Sequence, residues 1–310
     1  MKDKSKFAIV IPLRKIVHKL ISILLWLGLT TPAHSSPHFW EISAHRGDRL
    51  TYRENSMSAL IHAMDIKASS VEFDVHLTKD GVPVIYHDYK LNPEDFLGLT
   101  EPVLIKDLTL TQIKQIPYSD HLVTKPGDTK VITFEEFLLA VQARESQGLP
   151  AIPLHLEIKS EKEFLHESAP MAELAKATSD VINKVKIKTP IIARAFNWDV
   201  LTEFRKHQPA IPRILLVDRG DWTKIDFQSA IKDFQPIAFA PNWQDLTSDS
   251  IAYLRARNID VNPWTVNDPE AADKLIAMGV AGITTDHPSI FMKRFEKVLK
   301  QNNSCVNFYR

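Results

Sequence analysis

Val71-Glu72-Phe73-Asp74-Val75 is the stretch on which the fold turns. In an extended strand alternate side chains share a face, so Glu72 and Asp74 point one way while Val71, Phe73 and Val75 point the other. Leu154-His155-Leu156-Glu157-Ile158-Lys159 repeats the pattern, with His155, Glu157 and Lys159 on one face and three aliphatic residues on the other. A central strand of a parallel sheet is normally apolar on both faces. Carboxylates placed side by side there repel each other, and burial raises the cost. A divalent cation relieves both costs. The plainer reading is an edge strand with one face in water. Taken as a ligand set, Glu72, Asp74 and Glu157 offer hard oxygen donors, which suit one Mg²⁺ or Ca²⁺ ion rather than zinc.

Working outward, short apolar runs recur at 42–45, 71–75, 154–158, 191–194, 214–217, 237–240, 261–264 and 282–284, with helical patterns between them. Thr133-x-x-Glu136 is a capping box ahead of Phe137, Leu138 and Val141. Asp268-Pro269 opens another helix and Gly279 closes it. Asp286 and Pro288 open a final helix with Phe291, Phe295 and Val298 on one face. Strands alternating with helices imply parallel pairing. Eight such units in roughly 275 residues imply an α/β protein with a (β/α)8 TIM barrel, a fold of about 250 residues. One segment breaks the rhythm. Residues 84–87 read as an extra strand beyond the turn Lys79-Asp80-Gly81, and residues 89–130 show little periodicity and several prolines. A long irregular stretch in a compact domain marks a functional insertion, here after the second strand region.

The whole chain has 310 residues, 44% hydrophobic and 25% charged, which is ordinary globular composition. Lys plus Arg and Asp plus Glu both number 38, so no basic footprint points to nucleic acid. The one cysteine, Cys305, has no internal disulfide partner. The first 35 residues differ from the rest. A basic lead (Lys2, Lys4, Lys6, Arg14, Lys15, Lys19) precedes an apolar run over 20–29, then small residues Ala33 and Ser35. This is the layout of a secretory signal peptide. The apolar run is short of the roughly 20 residues a membrane span needs, although an uncleaved anchor is the competing reading. Removing 1–35 takes away six basic residues and one acidic, leaving a formal charge of −5 on 36–310. The expected destination is the periplasm or beyond, with no stable membrane insertion after cleavage.

Barrel chemistry gathers at the C-terminal ends of strands. His45 ends the first strand and His87 ends the extra one, so both fall beside the carboxylates. Arg46 carries the planar donor fork that suits a phosphate. Lys159 adds a point charge. His62, His76, Trp198 and Trp243 lack such a setting and read as structural, with pocket lining the alternative for either tryptophan.

The motifs follow one another in a fixed order. His45-Arg46-Gly47 comes first, then Glu54-Asn55-Ser56, then Glu72-x-Asp74-Val75-x-x-Thr78-Lys79-Asp80-Gly81 and His87-Asp88. Leu156-Glu157-Ile158-Lys159, Trp264-Thr265-Val266-Asn267 and Thr284-Thr285-Asp286-His287-Pro288 complete the set. Together they resemble the glycerophosphodiester phosphodiesterase family across nearly all of 36–310. The resemblance implies a TIM barrel with an insertion at 89–130, into which Ile105-Lys106-Asp107-Leu108-Thr109-Leu110 fits. It implies a metal on Glu72, Asp74 and Glu157, and an acid/base pair in His45 and His87. Two departures touch backbone turns. Arg53 stands where the family has proline, and Lys67-Ala68-Ser69-Ser70 where it has glycine.

The activity so implied is metal-dependent hydrolysis of glycerophosphodiesters, small deacylated phospholipids, to an alcohol and sn-glycerol 3-phosphate. Either water or the substrate's own glycerol hydroxyl serves as nucleophile. Arg46 and Lys159 stabilise phosphoryl charge, Asn55 and Asp88 orient their neighbours, and Trp264 packs on the glycerol. The alternatives are a D-type phospholipase of the same fold acting on lysophospholipid or sphingomyelin, favoured by an apolar rim at Phe96, Leu97 and Leu99, and a catalytically silent binding barrel.

Overall fold

The structure, a computed structural model, describes residues 41–301 apart from 123, 124, 126 and 127. The signal-peptide reading of 1–35 lies outside the described residues. Twelve strands run in chain order: β1 (Glu41–Ala44), β2 (Ser70–Leu77), β3 (Pro83–Ile85), β4 (Lys90–Leu91), β5 (Val103–Leu104), β6 (Ile132–Thr133), β7 (Leu154–Ile158), β8 (Ile191–Ala195), β9 (Arg213–Val217), β10 (Ala238–Pro241), β11 (Asp260–Val261) and β12 (Gly282–Thr285). The helices are α1 (Met57–Asp65), α2 (Leu110–Gln115), α3 (Phe134–Ser146), α4 (Met171–Val185), α5 (Trp198–His207), α6 (Phe227–Phe234), α7 (Ser248–Arg255), α8 (Pro269–Met278), α9 (Pro288–Arg294) and α10 (Glu296–Gln301). None of the described helices is long and apolar enough to cross a membrane.

Eight strands pair in parallel in the order β11-β10-β9-β8-β7-β2-β1-β12. Three backbone bonds join the two ends of that path. Ala281 N donates to Val261 O (3.0 Å), Thr284 N to Pro263 O (2.9 Å) and Val266 N to Thr284 O (2.9 Å). The fold is a TIM barrel. The strand expected at 261–264 shrinks to Asp260–Val261, because Pro263 has no N–H for the ladder. Trp264 rejoins through a single bridge to Asn242.

β2 lies between β1 and β7 and is buried along its whole length, so the edge-strand alternative is excluded. Its apolar face meets the helices. Phe73 packs on Phe134 and Phe137 of α3, with ring centroids 5.7 and 5.0 Å apart. The barrel interior is divided. Ile192, Ile214, Leu216, Ala238 and Ala240 form an apolar plug on one side. Glu41, Ser70, Glu72, Asp74, His155 and Glu157 are buried on the other. Ser70 Oγ donates to Glu41 Oε1 (2.6 Å), which also lies 3.0 Å from His155 Nε2, and Asn262 Nδ2 donates to Glu41 Oε2. His155 therefore serves the barrel floor rather than the cleft.

The capping box at Thr133 and Glu136 forms as expected, and Gly279 ends α8 in the left-handed region (φ 97°). The final helix is in fact two, broken at Phe295, whose ring stacks on Phe291 at 6.0 Å. The extra strand is β3, antiparallel to β2 and β6. It ends before Tyr86, whose N–H bonds Asp74 O (3.2 Å), so His87 emerges directly beyond a carboxylate-bearing residue.

The described residues of 89–130 hold more regular structure than their sequence suggests. They hold the β4–β5 hairpin, α2 with its own capping box at Thr109 and Gln112, and a small core of Leu91, Phe96, Ile105, Ile113 and Tyr118 closed by Tyr86 and Val131. Elements of two and six residues are too short for periodicity to register. Arg53, at the first family departure, stacks its guanidinium 3.5 Å from the Tyr118 ring and so ties the loop after β1 to this insertion. At the second, Lys67 adopts φ 58° in place of a glycine.

Gly47 is a position that nothing else fills. Its φ is +85°, and a Cβ there would lie 2.5 Å from the carbonyl carbon of Ala59. Gly47→Ala is expected to cost more than about 1 kcal/mol through strain and forced displacement of α1. Urea unfolding checks this; an unchanged midpoint is the contrary result.

Candidate active site

The site is assembled where β1, β2, β3, β7 and β12 end. Three residues of the loop after β1, Arg46 (φ 57°), Gly47 and Asn55 (φ 55°), lie in the left-handed region. Non-glycine residues held there are uncommon and mark a backbone over-determined by its surroundings. The turns aim two donors at β2. Arg46 N donates to Glu72 Oε2 (2.9 Å) and Asn55 Nδ2 to Asp74 Oδ2 (2.8 Å).

Register sets Asp74 directly opposite Glu157 across the β2–β7 ladder. Glu72, Asp74 and Glu157 each offer a carboxylate oxygen, all within 4.8 Å of one another, and all three side chains are buried. Their charges are uneven. Burial, then Asp74, push Glu72 up to about 8, against the pull of Arg194. Burial also pushes Asp74 up, but His87, Lys159 and Arg46 outweigh it and hold that carboxyl well below its ordinary range. A trio that must otherwise keep a proton near neutral pH is suited to a divalent cation, which replaces the proton and balances the remaining charge.

Both cations expected to meet phosphate are already committed to carboxylates. Arg46 Nη1 bonds Glu54 Oε1 (2.9 Å) and its Nε lies 3.6 Å from Asp74 Oδ2. Lys159 Nζ lies 3.0 Å from Glu157 and 2.8 Å from Glu161. Burial disfavours the Lys159 charge, but these carboxylates with Asp74 hold its ammonium well above its ordinary range. Both side chains still face the cleft.

The two histidines are each oriented by an aspartate. His45 Nδ1 lies 2.6 Å from Asp286 Oδ1, and His87 Nδ1 lies 2.6 Å from Asp88 Oδ1. Burial lowers His45 to about 4, outweighing Asp286. Asp286 is itself held well below its ordinary range: burial opposes this, but His45, Asn267 and Arg49 outweigh it. Asn267 Nδ2 donates to Asp286 Oδ2 (2.7 Å), and Arg49 Nη1 to Asp286 Oδ1 (3.1 Å). Beneath His87, His76 Nε2 meets the His87 carbonyl (3.0 Å) and its ring packs on Tyr89. The structural reading of His76 therefore carries one addition, since it supports the backbone of a cleft histidine.

A cleft of about 470 Å³ brings together His45, Arg46, His87, Asp88, Glu157, Lys159 and Trp264. Glu72, Asp74 and Asn55 are buried behind it. Trp264 is fixed by its Nε1–H bond to Ala240 O (2.8 Å) and stands edge-on to Phe196 at 5.3 Å. The sequence assigned no role in the site to Glu54, Asn267 or Arg49, and gave Asp286 only that of a helix opener, a position the structure gives to His287. Glu54, Asn267 and Asp286 lie inside the quoted motifs, which is a signal of a kind. Arg49 carries none.

The model of the glycerophosphoryl diester phosphodiesterase family matches residues 45–290. The chain belongs to that family. Its members are metal-dependent, and the buried trio is an acidic cluster of the kind that can hold a metal ion. A glycerophosphodiester phosphodiesterase of Bacillus altitudinis is 28% identical over 265 residues, covering 83% of this chain and 99% of the relative. A human lysophospholipase D is 22% identical, covering 80% and 82%. Among solved structures, an Oleispira antarctica phosphodiesterase in complex with the product sn-glycerol-3-phosphate superposes with a TM-score of 0.69 at 23% identity, covering 84% of this chain and 96% of that one. A Thermotoga maritima glycerophosphodiester phosphodiesterase gives 0.61 at 25% identity, covering 83% and 98%.

Proposed function

We propose that this phosphodiesterase hydrolyses glycerophosphodiesters to an alcohol and sn-glycerol 3-phosphate, with one divalent cation on Glu72, Asp74 and Glu157. The observation that carries the reading is the pair of aspartate-held histidines lining one cleft beside the buried trio. The names of the relatives and the product bound to the Oleispira antarctica enzyme support the substrate class.

In this reading His45 is the base. Its Nδ1 proton is directed at Asp286, which leaves Nε2 as the accepting nitrogen, and burial keeps the ring neutral. His45 takes the proton of the nucleophile, and His87, its Nδ1 held by Asp88, delivers a proton to the leaving alkoxide; where the nucleophile is the glycerol hydroxyl, the cyclic phosphate so formed is opened by water in a second step to give sn-glycerol 3-phosphate. Arg46 and Lys159 stabilise the phosphoryl oxygens, and Trp264 packs on the glycerol. The cation, when bound, supplies Lewis-acid polarisation and charge neutralisation at the phosphoryl group.

Chelation is expected to abolish hydrolysis of glycerophosphocholine. Adding back Ca²⁺ is expected to restore it more fully than Mg²⁺, because Ca²⁺ accepts a flexible shell with room for glycerol hydroxyls. Full activity after exhaustive chelation contradicts the proposal. A linked result concerns protons. Below about pH 8 Glu72 holds a proton that the cation must displace. Cation affinity should therefore rise with pH up to about 8 and then level. Calorimetry at pH 7 in two buffers of different ionisation enthalpy should detect close to one proton released; none released removes the linkage.

The D-type phospholipase reading called for an apolar rim on the insertion. Phe96 is buried and Leu99 packs onto the insertion's own core, so Leu97 alone of the three is exposed. We further propose export from the cytoplasm on the strength of residues 1–35. N-terminal sequencing of the fractionated protein should find it beginning near Ser36; a cytoplasmic chain retaining Met1 contradicts this.

A further inference from the structure

We propose that Arg49 is a positioning residue that locks the base His45 and the phosphate-facing Arg46 into one unit, through Asp286 on one side and Glu54 on the other. The proposal rests on the catalytic reading above. Among the described residues, Arg49 is the side chain ion-paired with both of these carboxylates. Its Nη1 lies 3.1 Å from Asp286 Oδ1 and its Nη2 lies 2.6 Å from Glu54 Oε2. Asp286 Oδ1 is the oxygen that holds His45 Nδ1, and Glu54 Oε1 is the oxygen that holds Arg46 Nη1. From the neutral His45, alternating charges thus run Asp286, Arg49, Glu54, Arg46, and end 3.6 Å from Asp74.

A planar guanidinium has donors on two separate nitrogens, so it spans two carboxylates where an ammonium is a single point. The loop it crosses is itself closed, since Asn55 N donates to Arg46 O (2.9 Å). Both pairs are half-buried and partly screened by water, so their contribution to stability is modest and the role of Arg49 is chiefly geometric. Small displacements of a catalytic group are expensive, about a hundredfold for 1 Å. Arg49 does not line the cleft that holds His45, Lys159 and Trp264; it lines the adjoining one with Glu54, His87 and Asp88, and its ion pairs run to the proposed machinery through Asp286 and Glu54. Its charge also shares Asp286 with the imidazole and so opposes protonation of His45. The other charged groups acting on His45 are Asp286, Arg46 and Asp74.

Arg49→Met is expected to lower kcat on glycerophosphocholine about tenfold, and to move the acid limb of the kcat profile to higher pH. Arg49→Lys should keep the limb in place, because it keeps the charge, while kcat stays below wild type. In a background lacking both partners, His45→Ala with Arg46→Met, Arg49→Met should cause no further loss, because its effect passes through those two residues. Losses that multiply would instead make Arg49 a direct substrate contact and overturn the proposal, as would wild-type kcat in Arg49→Met. Should Arg49→Met fail to fold, Arg49→Lys carries the same cycle. ¹⁵N spectra of histidine-labelled protein give a readout free of turnover. His45 should be the Nδ1–H tautomer in the wild type and a mixture in either variant; a single unchanged tautomer overturns the proposal. A wild-type enzyme inactive on every glycerophosphodiester contradicts the function proposed above, and leaves the tautomer measurement to decide the role of Arg49.

Discussion

His45→Ala and His87→Ala are each expected to lower kcat on glycerophosphocholine by about 10²–10⁴-fold, the usual contribution of a positioned acid or base. The fold should survive both changes. His45 sits one residue beyond β1 and His87 two beyond β3, so neither donates a side chain to the barrel core. The carboxylate trio also keeps its geometry, since Arg46 N and Asn55 still hold Glu72 and Asp74. Substrates with a nitrophenolate leaving group separate the two roles. Such a group departs without a proton, so His87→Ala should recover most of its rate on it and His45→Ala should not. Because both serve one proton circuit, the double variant should lose less than the product of the single losses. Recovery in His45→Ala alone reverses the assignment of acid and base. Near-native rates in both variants make the histidines structural.

Glu72→Gln is expected to have an effect as large, with an opposite one on stability. Losing one of three anionic ligands removes several kcal/mol of charge stabilisation, or about a thousandfold in rate. Cation binding measured by calorimetry should fall with it. The cation-free protein, however, should gain. Glu72 is a carboxyl raised to about 8 by burial and by Asp74, so in the folded state it resists ionisation. The unfolded chain releases that proton near 4.5, so above this value folding has to retain or recover it, and the metal-free fold weakens as pH rises toward 8. An amide carries no such penalty. Chelated Glu72→Gln should therefore melt above chelated wild type at pH 8, with the difference shrinking as pH falls toward 4.5. Saturating Ca²⁺ should raise the melting temperature of the wild type and leave the variant unmoved. Equal melting temperatures at pH 8 remove the claim that the trio is destabilising without its cation.

How much of this was legible beforehand depends on the range of the interactions. The period-2 alternation of 71–75 and 154–159 already placed Glu72 with Asp74 on one face of their strand, and Glu157 with His155 and Lys159 on one face of theirs, because side-chain direction in a strand is a local property. The count of eight barrel strands, the capping box at Thr133 and the stop at Gly279 were equally readable, since each is decided within a few residues of chain. So was the position of His45 and His87 at strand ends, although the strand boundaries moved by one or two residues.

Tertiary structure alone decided the rest. Whether β2 was an edge or a centre depended on its pairing with β1 and β7, and only that pairing made the carboxylates buried and their charge uneven. The break at Pro263 shortened a strand whose apolar pattern continued past it. The insertion hid its order because a two-residue strand has no period and its core is assembled from pieces far apart. Asp286 reaches His45 across 241 positions and Arg49 reaches Asp286 across 237. Closing the barrel sets β12 beside β1, and only then does a residue that reads as a helix opener become the group that orients the base.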